Sequence, residues 1–145
     1  MNNALRVPFS TIQNQRGETG ILPVLPLQLS RLGKTLDTTA RLDTGAMVNV
    51  LPWSAGLKLG AIWEKQAIPL QLTGNLANLE ARALLLDAVI GTFPPVQLAF
   101  AWTRADDIPM LLGMTNFFME FDVCFFRTQL IFEVRPKVKS NMGQA

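Results

Sequence analysis

Residues 40–52 read ARLDTGAMVNVLP. The preceding run alternates, with Leu36, Thr38, Ala40 and Leu42 on one face and Asp37, Thr39, Arg41 and Asp43 on the other, as a strand requires. It stops at Asp43-Thr44-Gly45, and the chain then returns at once to apolar residues. A surface turn is ordinarily followed by polar sequence, so Ala46-Met47-Val48 carries the carboxylate toward an interior or an interface. An isolated carboxylate is costly there, because desolvation opposes its charged form. Taken alone, the triplet reads as an Asx-type turn. What surrounds it must decide.

Upstream, VLPLQLS places Leu25, Leu27 and Leu29 on one face, with Pro23 and Pro26 restricting the strand to an edge or an irregular start. The Leu32-Gly33-Lys34 link joins it to the strand that ends at Asp43, which predicts a β-hairpin. Downstream, AIPLQLTGNLANLEARALLL has strand-like flanks around the Thr73-Gly74-Asn75 turn, and PVQLAFAW alternates Val96, Leu98, Phe100 and Trp102 with smaller residues. GMTNFFMEF predicts one short helix capped by Thr115 or Asn116. DVCFF and TQLIFEV predict a last strand pair around Arg127 and Thr128. SAGLKLGAIWEKQ, at residues 54–66, holds Gly56 and Gly60 and predicts a loop with at most one helical turn. Many short strands with Gly/Pro turns indicate an all-β barrel or sandwich.

The chain of 145 residues is one domain's length. Residues 1–20 are polar and predict a flexible N-terminal segment, residues 21–136 the folded domain, and residues 137–145 a disordered C-terminal tail. Apolar residues make up 49 % and charged residues 17 %, a surplus that predicts a buried partner interface, most simply a second copy. The net charge is +2 and only RPKVKS clusters cations, too weak a signal for a nucleic-acid partner. The most apolar region is interrupted by Asp87, Gly91, Pro94 and Pro95, so no membrane helix is expected. No secretory signal is recognisable, and a cytoplasmic protein is expected. Cys124 is the single cysteine and reads as a buried inert thiol.

The sequence contains no histidine, which excludes Ser-His-Asp and Cys-His nucleophile systems and imidazole metal sites. Hydrolysis here must rest on carboxylates. Two carboxyl groups held close share one proton. The ionised one draws a proton from a water, and the protonated one donates to the carbonyl under attack, with neither metal nor cofactor required.

With its flanks, ARLDTGAMVNVLP resembles the active-site segment of retropepsin-like aspartic proteases, in which apolar residues precede Asp-Thr-Gly-Ala. PMLLGMTNFFMEFDVCFF resembles that family's second element through Leu111, Leu112, Gly113 and the Phe-rich helix, and the interval between the two accommodates a flap hairpin. The likeness covers about residues 21–135. It implies a closed acid-protease β-barrel and cleavage of peptide or protein substrates. It also implies a catalytic Asp43 paired with Asp43 of a second copy, since a single Asp-Thr-Gly is present. Thr44 would brace the two site loops, Gly45 would admit substrate backbone, Ala46 would complete the motif and Gly113 would pack beneath. Thr73, Gly74, Asn75 and Leu76 would form the flap.

The sequence departs from that pattern in three places. Met47 and Met114 stand where retroviral members usually carry charged residues, and the flap region is poor in glycine. Arg41 stands where an apolar residue is usual, either paired with Asp37 on its own strand face, simply exposed, or acting as a subsite wall for polar or acidic side chains or as a cation beside the carboxyl pair. A catalytically silent dimerisation or peptide-binding module on the same fold is the alternative reading, and a ligand-binding barrel a third that leaves Asp43-Thr44-Gly45 unexplained.

Overall fold

The computed structural model describes residues 3–14 and 16–138, so all of the expected tail beyond Val138 lies outside the described residues. In chain order the elements are β1 (Leu5–Pro8), β2 (Ser10–Gln13), β3 (Thr19–Leu22), β4 (Val24–Arg31), β5 (Lys34–Leu42) and β6 (Asn49–Leu51). There follow α1 (Trp53–Lys58), β7 (Pro69–Leu70), β8 (Ala81–Val89), β9 (Val96–Thr103), β10 (Leu111–Leu112), α2 (Phe117–Glu120), β11 (Phe121–Phe126) and β12 (Ile131–Pro136).

The β4–β5 hairpin turns through Leu32 and Gly33 at φ 47° and 84°, the doubly positive pair that matches the twist of its flanking strands. Leu25, Leu27, Leu29, Ala40 and Leu42 are buried on its inner face, as the alternation predicts. The main sheet runs β4-β5-β10-β6-β9-β8-β7, and a second pairing of β4 with β8 closes six of these strands into a barrel. That closure uses Gln28, Leu29 and Ser30 of β4. Pro26, which has no N–H to give, precedes the doubly paired stretch, so β4 is an edge only where its proline lies.

The barrel core holds the largest side chains, among them Phe100, Trp102 and Phe117. Trp53 stacks on Trp102 with ring centroids 4.9 Å apart, and Trp63 meets both edge-on. This cluster explains α1, which is longer than the single turn expected from a glycine-containing segment. Gly56 is the contact point: a Cβ there would come within 2.2 Å of the Trp102 ring. Tertiary packing thus overrides helix propensity, and the structure has two short helices where the sequence reading expected one.

A separate sheet, β1-β12-β11, packs Phe132 and Val134 inward. Its first strand lies within the supposed lead-in: Leu5–Pro8 pair with Ile131–Val134, and Phe9 meets Phe132 edge-on at 5.8 Å. β2 and β3 pair as a further hairpin. Leu5–Pro8 and Ser10–Gln13 are therefore strand rather than irregular chain, because a few apolar residues (Leu5, Val7, Phe9) are enough to seat them.

Cys124 corrects another expectation, being exposed rather than buried. It lies opposite Glu133, on the face that carries the Arg6–Glu133 and Arg135–Asp122 ion pairs, both at 3.3 Å. Phe132 and Val134 take the inner face, so strand alternation turns the thiol outward. Among the described residues no helix is long and apolar enough to cross a membrane.

Candidate active site

Three short backbone segments meet at Asp43. The two residues of β10 run parallel to the end of β5, with Leu111 beside Arg41 and Leu112 beside Leu42, and antiparallel to β6, with Leu111 beside Val50. One strand therefore supports both ends of the Asp43 loop. The Asp43 N–H donates to the Leu112 carbonyl at 2.9 Å, which fixes the residue where β5 ends.

The loop then turns tightly. Gly45 donates its N–H to Asp43 Oδ1 at 2.9 Å, and Ala46 to the Asp43 carbonyl at 3.1 Å. The Asx turn suggested by the triplet is thus present, and it uses one oxygen of the carboxylate. Oδ2 has no hydrogen-bond partner among the described residues. Gly45 has no positive φ; its role is closeness, since a Cβ there would sit 3.2 Å from Asp43 Oδ1.

On its far side the loop is clipped to the residues after β10. Met114 and Thr115 donate their N–H groups to the carbonyls of Ala46 and Met47 at 2.9 and 2.8 Å. Gly113 lies directly beneath: a Cβ on it would approach the carbonyl oxygens of Val48 and Ala46 to 2.5 and 2.8 Å. The packing role that the resemblance implies for Gly113 has this steric content.

Asn49 escaped the sequence reading. It is fully buried, and its Oδ1 accepts the Gly113 N–H at 2.8 Å. Its Nδ2 donates to the Ala99 carbonyl at 3.0 Å and to Asn116 Oδ1 at 3.2 Å, and that same oxygen accepts the Ala99 N–H. Asn116 occupies the N-cap position of α2, as expected, but makes no side-chain cap bond; its amide serves this network instead. A lone amide inside the apolar run Val48-Asn49-Val50-Leu51 was the available signal, because buried polar groups must find partners.

Asp43, Gly45, Ala46 and Met47 line one cleft of about 380 Å³, with Arg41 in the same wall. Thr73, Gly74, Asn75 and Leu76 line it from the connection between β7 and β8, which spans residues 71–80 and carries a 3-10 turn at Gly74–Leu76. The expected flap segment is thus a broad arch rather than a tight two-residue tip, held in part by Gln71 Nε2 donating to the Ala77 carbonyl at 3.1 Å. Val48, Val50, Gln71, Leu72, Pro109 and Leu111 complete the cleft. Leu72, Val50 and Leu111 belong to a small apolar cluster, separate from the barrel core, that joins the arch to the site loop.

Thr44 lies outside the cleft lining and is exposed, with no hydrogen bond to its hydroxyl among the described residues. Met47 and Met114 are also exposed, 59 % and 45 %. Arg41 is half-buried and not paired with Asp37, whose carboxylate takes the Gln28 amide at 3.0 Å. Asp43 is the one carboxylate among the described residues that line the cleft.

No protein-family model and no curated protein matches the sequence. Among solved structures, the chain is similar to a retropepsin-like aspartic protease from Rickettsia conorii, with a TM-score of 0.58 and 19 % identity over 92 % of this chain and 96 % of that one. The closed six-strand barrel, the single Asp-Thr-Gly loop and the second loop clipped to it at Gly113 together have the retropepsin-like fold.

Proposed function

We propose that this chain is an aspartic endopeptidase whose active site forms when two copies bring their Asp43 side chains together. One observation carries the reading: a carboxylate with one oxygen committed to its own loop and the other without a hydrogen bond among the described residues, lining a cleft of about 380 Å³. A single lobe supplies one such group, and the hydrolysis needs two.

In the pair, the ionised carboxyl group takes a proton from a water held between the two, and the water oxygen bonds to the peptide carbonyl carbon. The protonated carboxyl group gives its proton to the carbonyl oxygen, so the tetrahedral intermediate carries no net new charge. Collapse breaks the C–N bond, and the nitrogen leaves with a proton returned by the dyad. The residue 71–80 arch lies over the cleft and would exclude bulk water, and extended substrate would be held through its backbone. Thr44, exposed in the single chain, would meet the partner loop.

Asp43→Asn removes the proton-sharing pair while keeping an oxygen for the Gly45 N–H. Cleavage of a peptide library by the purified variant should fall at least about a thousandfold, with the circular dichroism spectrum unchanged. Undiminished cleavage would remove Asp43 from the mechanism. The exchange of charged residues for Met47 and Met114 beside the site favours a second reading, a silent peptide-binding or dimerisation module. Peptide binding by wild type without cleavage at any pH would select it.

A further inference from the structure

Arg41 and Asp43 are the charged residues of the cleft lining, and every other lining residue is neutral. Arg41 is half-buried, yet its guanidinium makes no ion pair and no hydrogen bond among the described residues. Its strand neighbour on the same face, Asp37, is engaged by Gln28. Arg41 also borders an adjoining cleft walled by the β2–β3 hairpin, where Glu18 and Asp107 lie without pairing to it. A guanidinium stays charged over the whole working pH range and presents donors in a planar fork that fits a carboxylate. Water solvates such a half-buried group in the free chain and leaves its fork open to a carboxylate ligand.

Position gives the ligand its place. Arg41 lies near the end of β5 and Asp43 one residue past it, two positions apart and so about 7 Å apart along an extended chain. An extended peptide has the same spacing between alternate side chains. A side chain that reaches Arg41 therefore belongs to a residue within about two positions of the bond at Asp43.

We infer that Arg41 is a specificity-determining residue that selects substrates with an acidic side chain within two residues of the scissile bond. This deepens the endopeptidase reading and rests on it for the identity of the bond, though not for the binding of the acid. The recognised chemistry is a peptide side-chain carboxylate, held by paired N–H···O bonds at the junction of the two clefts.

The test uses peptides blocked at both termini, so that side chains carry the only carboxylates, in pairs that differ by Glu against Gln at each of the four positions around the cleaved bond. For wild type, kcat/KM at one position should favour Glu by about tenfold or more, the scale of a charge-assisted bond. In Arg41→Leu that ratio should collapse to about one, and in Arg41→Lys it should stay above one. A ratio retained in Arg41→Leu, or no Glu preference in wild type at any position, overturns the proposal. Anisotropy of the same peptides, fluorescently labelled, on wild type and Asp43→Asn separates the two readings. Arg41-dependent preference for the Glu peptide without cleavage would sink the endopeptidase and keep the acid site. Equal affinity for Glu and Gln peptides, or no binding to either variant, would sink the acid site whatever the activity.

Discussion

Gly113 has no side chain and still determines where Asp43 can sit. The carbonyls of Ala46 and Val48 occupy the space that a Cβ would need, and both belong to the loop clipped to the residues after β10. Gly113→Ala should therefore lower stability by about 1–3 kcal/mol through overpacking against backbone, which cannot swing aside as a side-chain end can. Urea unfolding would measure it, and an unchanged midpoint would mean that the loop has slack. The tight turn at Asp43 and the close approach of Gly113 were legible in the sequence because both follow from residue types at fixed local spacing. Asn49 was not. Its partners Ala99, Gly113 and Asn116 lie far along the chain, and nothing within its own segment says which groups an amide will meet. Arg41 was half legible: it lines the cleft with Asp43, while Asp37, four positions back and about 13 Å away along the strand, bonds Gln28 instead.

At the scale of elements, helix α1 opposes two rules. Glycine to alanine inside a helix ordinarily stabilises by about 1 kcal/mol. At Gly56 the new methyl would collide with Trp102, held by its stack on Trp53 and by its Nε1 donating to the Trp53 carbonyl at 3.2 Å. Gly56→Ala should therefore destabilise by about 1–3 kcal/mol despite the better propensity, with a blue-shifted or red-shifted tryptophan emission marking the disturbed cluster. A gain in melting temperature would refute the steric account. The β4–β5 hairpin, β8, β9 and the β11–β12 pair were readable from alternation and turn residues, which act over a few neighbouring positions. α1 and β1 were not, since each is stabilised by packing against distant partners, Trp102 for one and β12 for the other. The phase of β11 was misjudged at Cys124 because flanking aromatics lie on both faces, and only pairing with β12 settles which face is inside.

For the whole molecule, the proposed pairing sets a requirement on the surface around the site loop. Met47, Met114 and Met119 are all exposed, the first two flanking the loop that carries Asp43. Flexible thioethers fill irregular contacts well, and they tolerate no charge once covered. In the proposed pair, Met114→Lys should weaken self-association by at least about tenfold in sedimentation equilibrium, because it puts an unpaired charge into a covered apolar contact. Activity should fall with it and follow the square of protein concentration on dilution. A fully active monomer would contradict the shared site. The closed barrel that the resemblance implied is present, while the strand pair that closes it, β4 with β8, could not be read from alternation, which predicts strands without saying which of them meet.

The two residues of β10 are the narrowest part of this architecture, bonded on one side to the strand that ends at Asp43 and on the other to the strand that follows its loop. Such a clasp makes positions 46–49 and 113–116 a single unit of inheritance: a shift tolerated in one half is harmful until the other half accommodates it. Changes there should combine non-additively, and a double-mutant cycle across the two halves would measure the coupling.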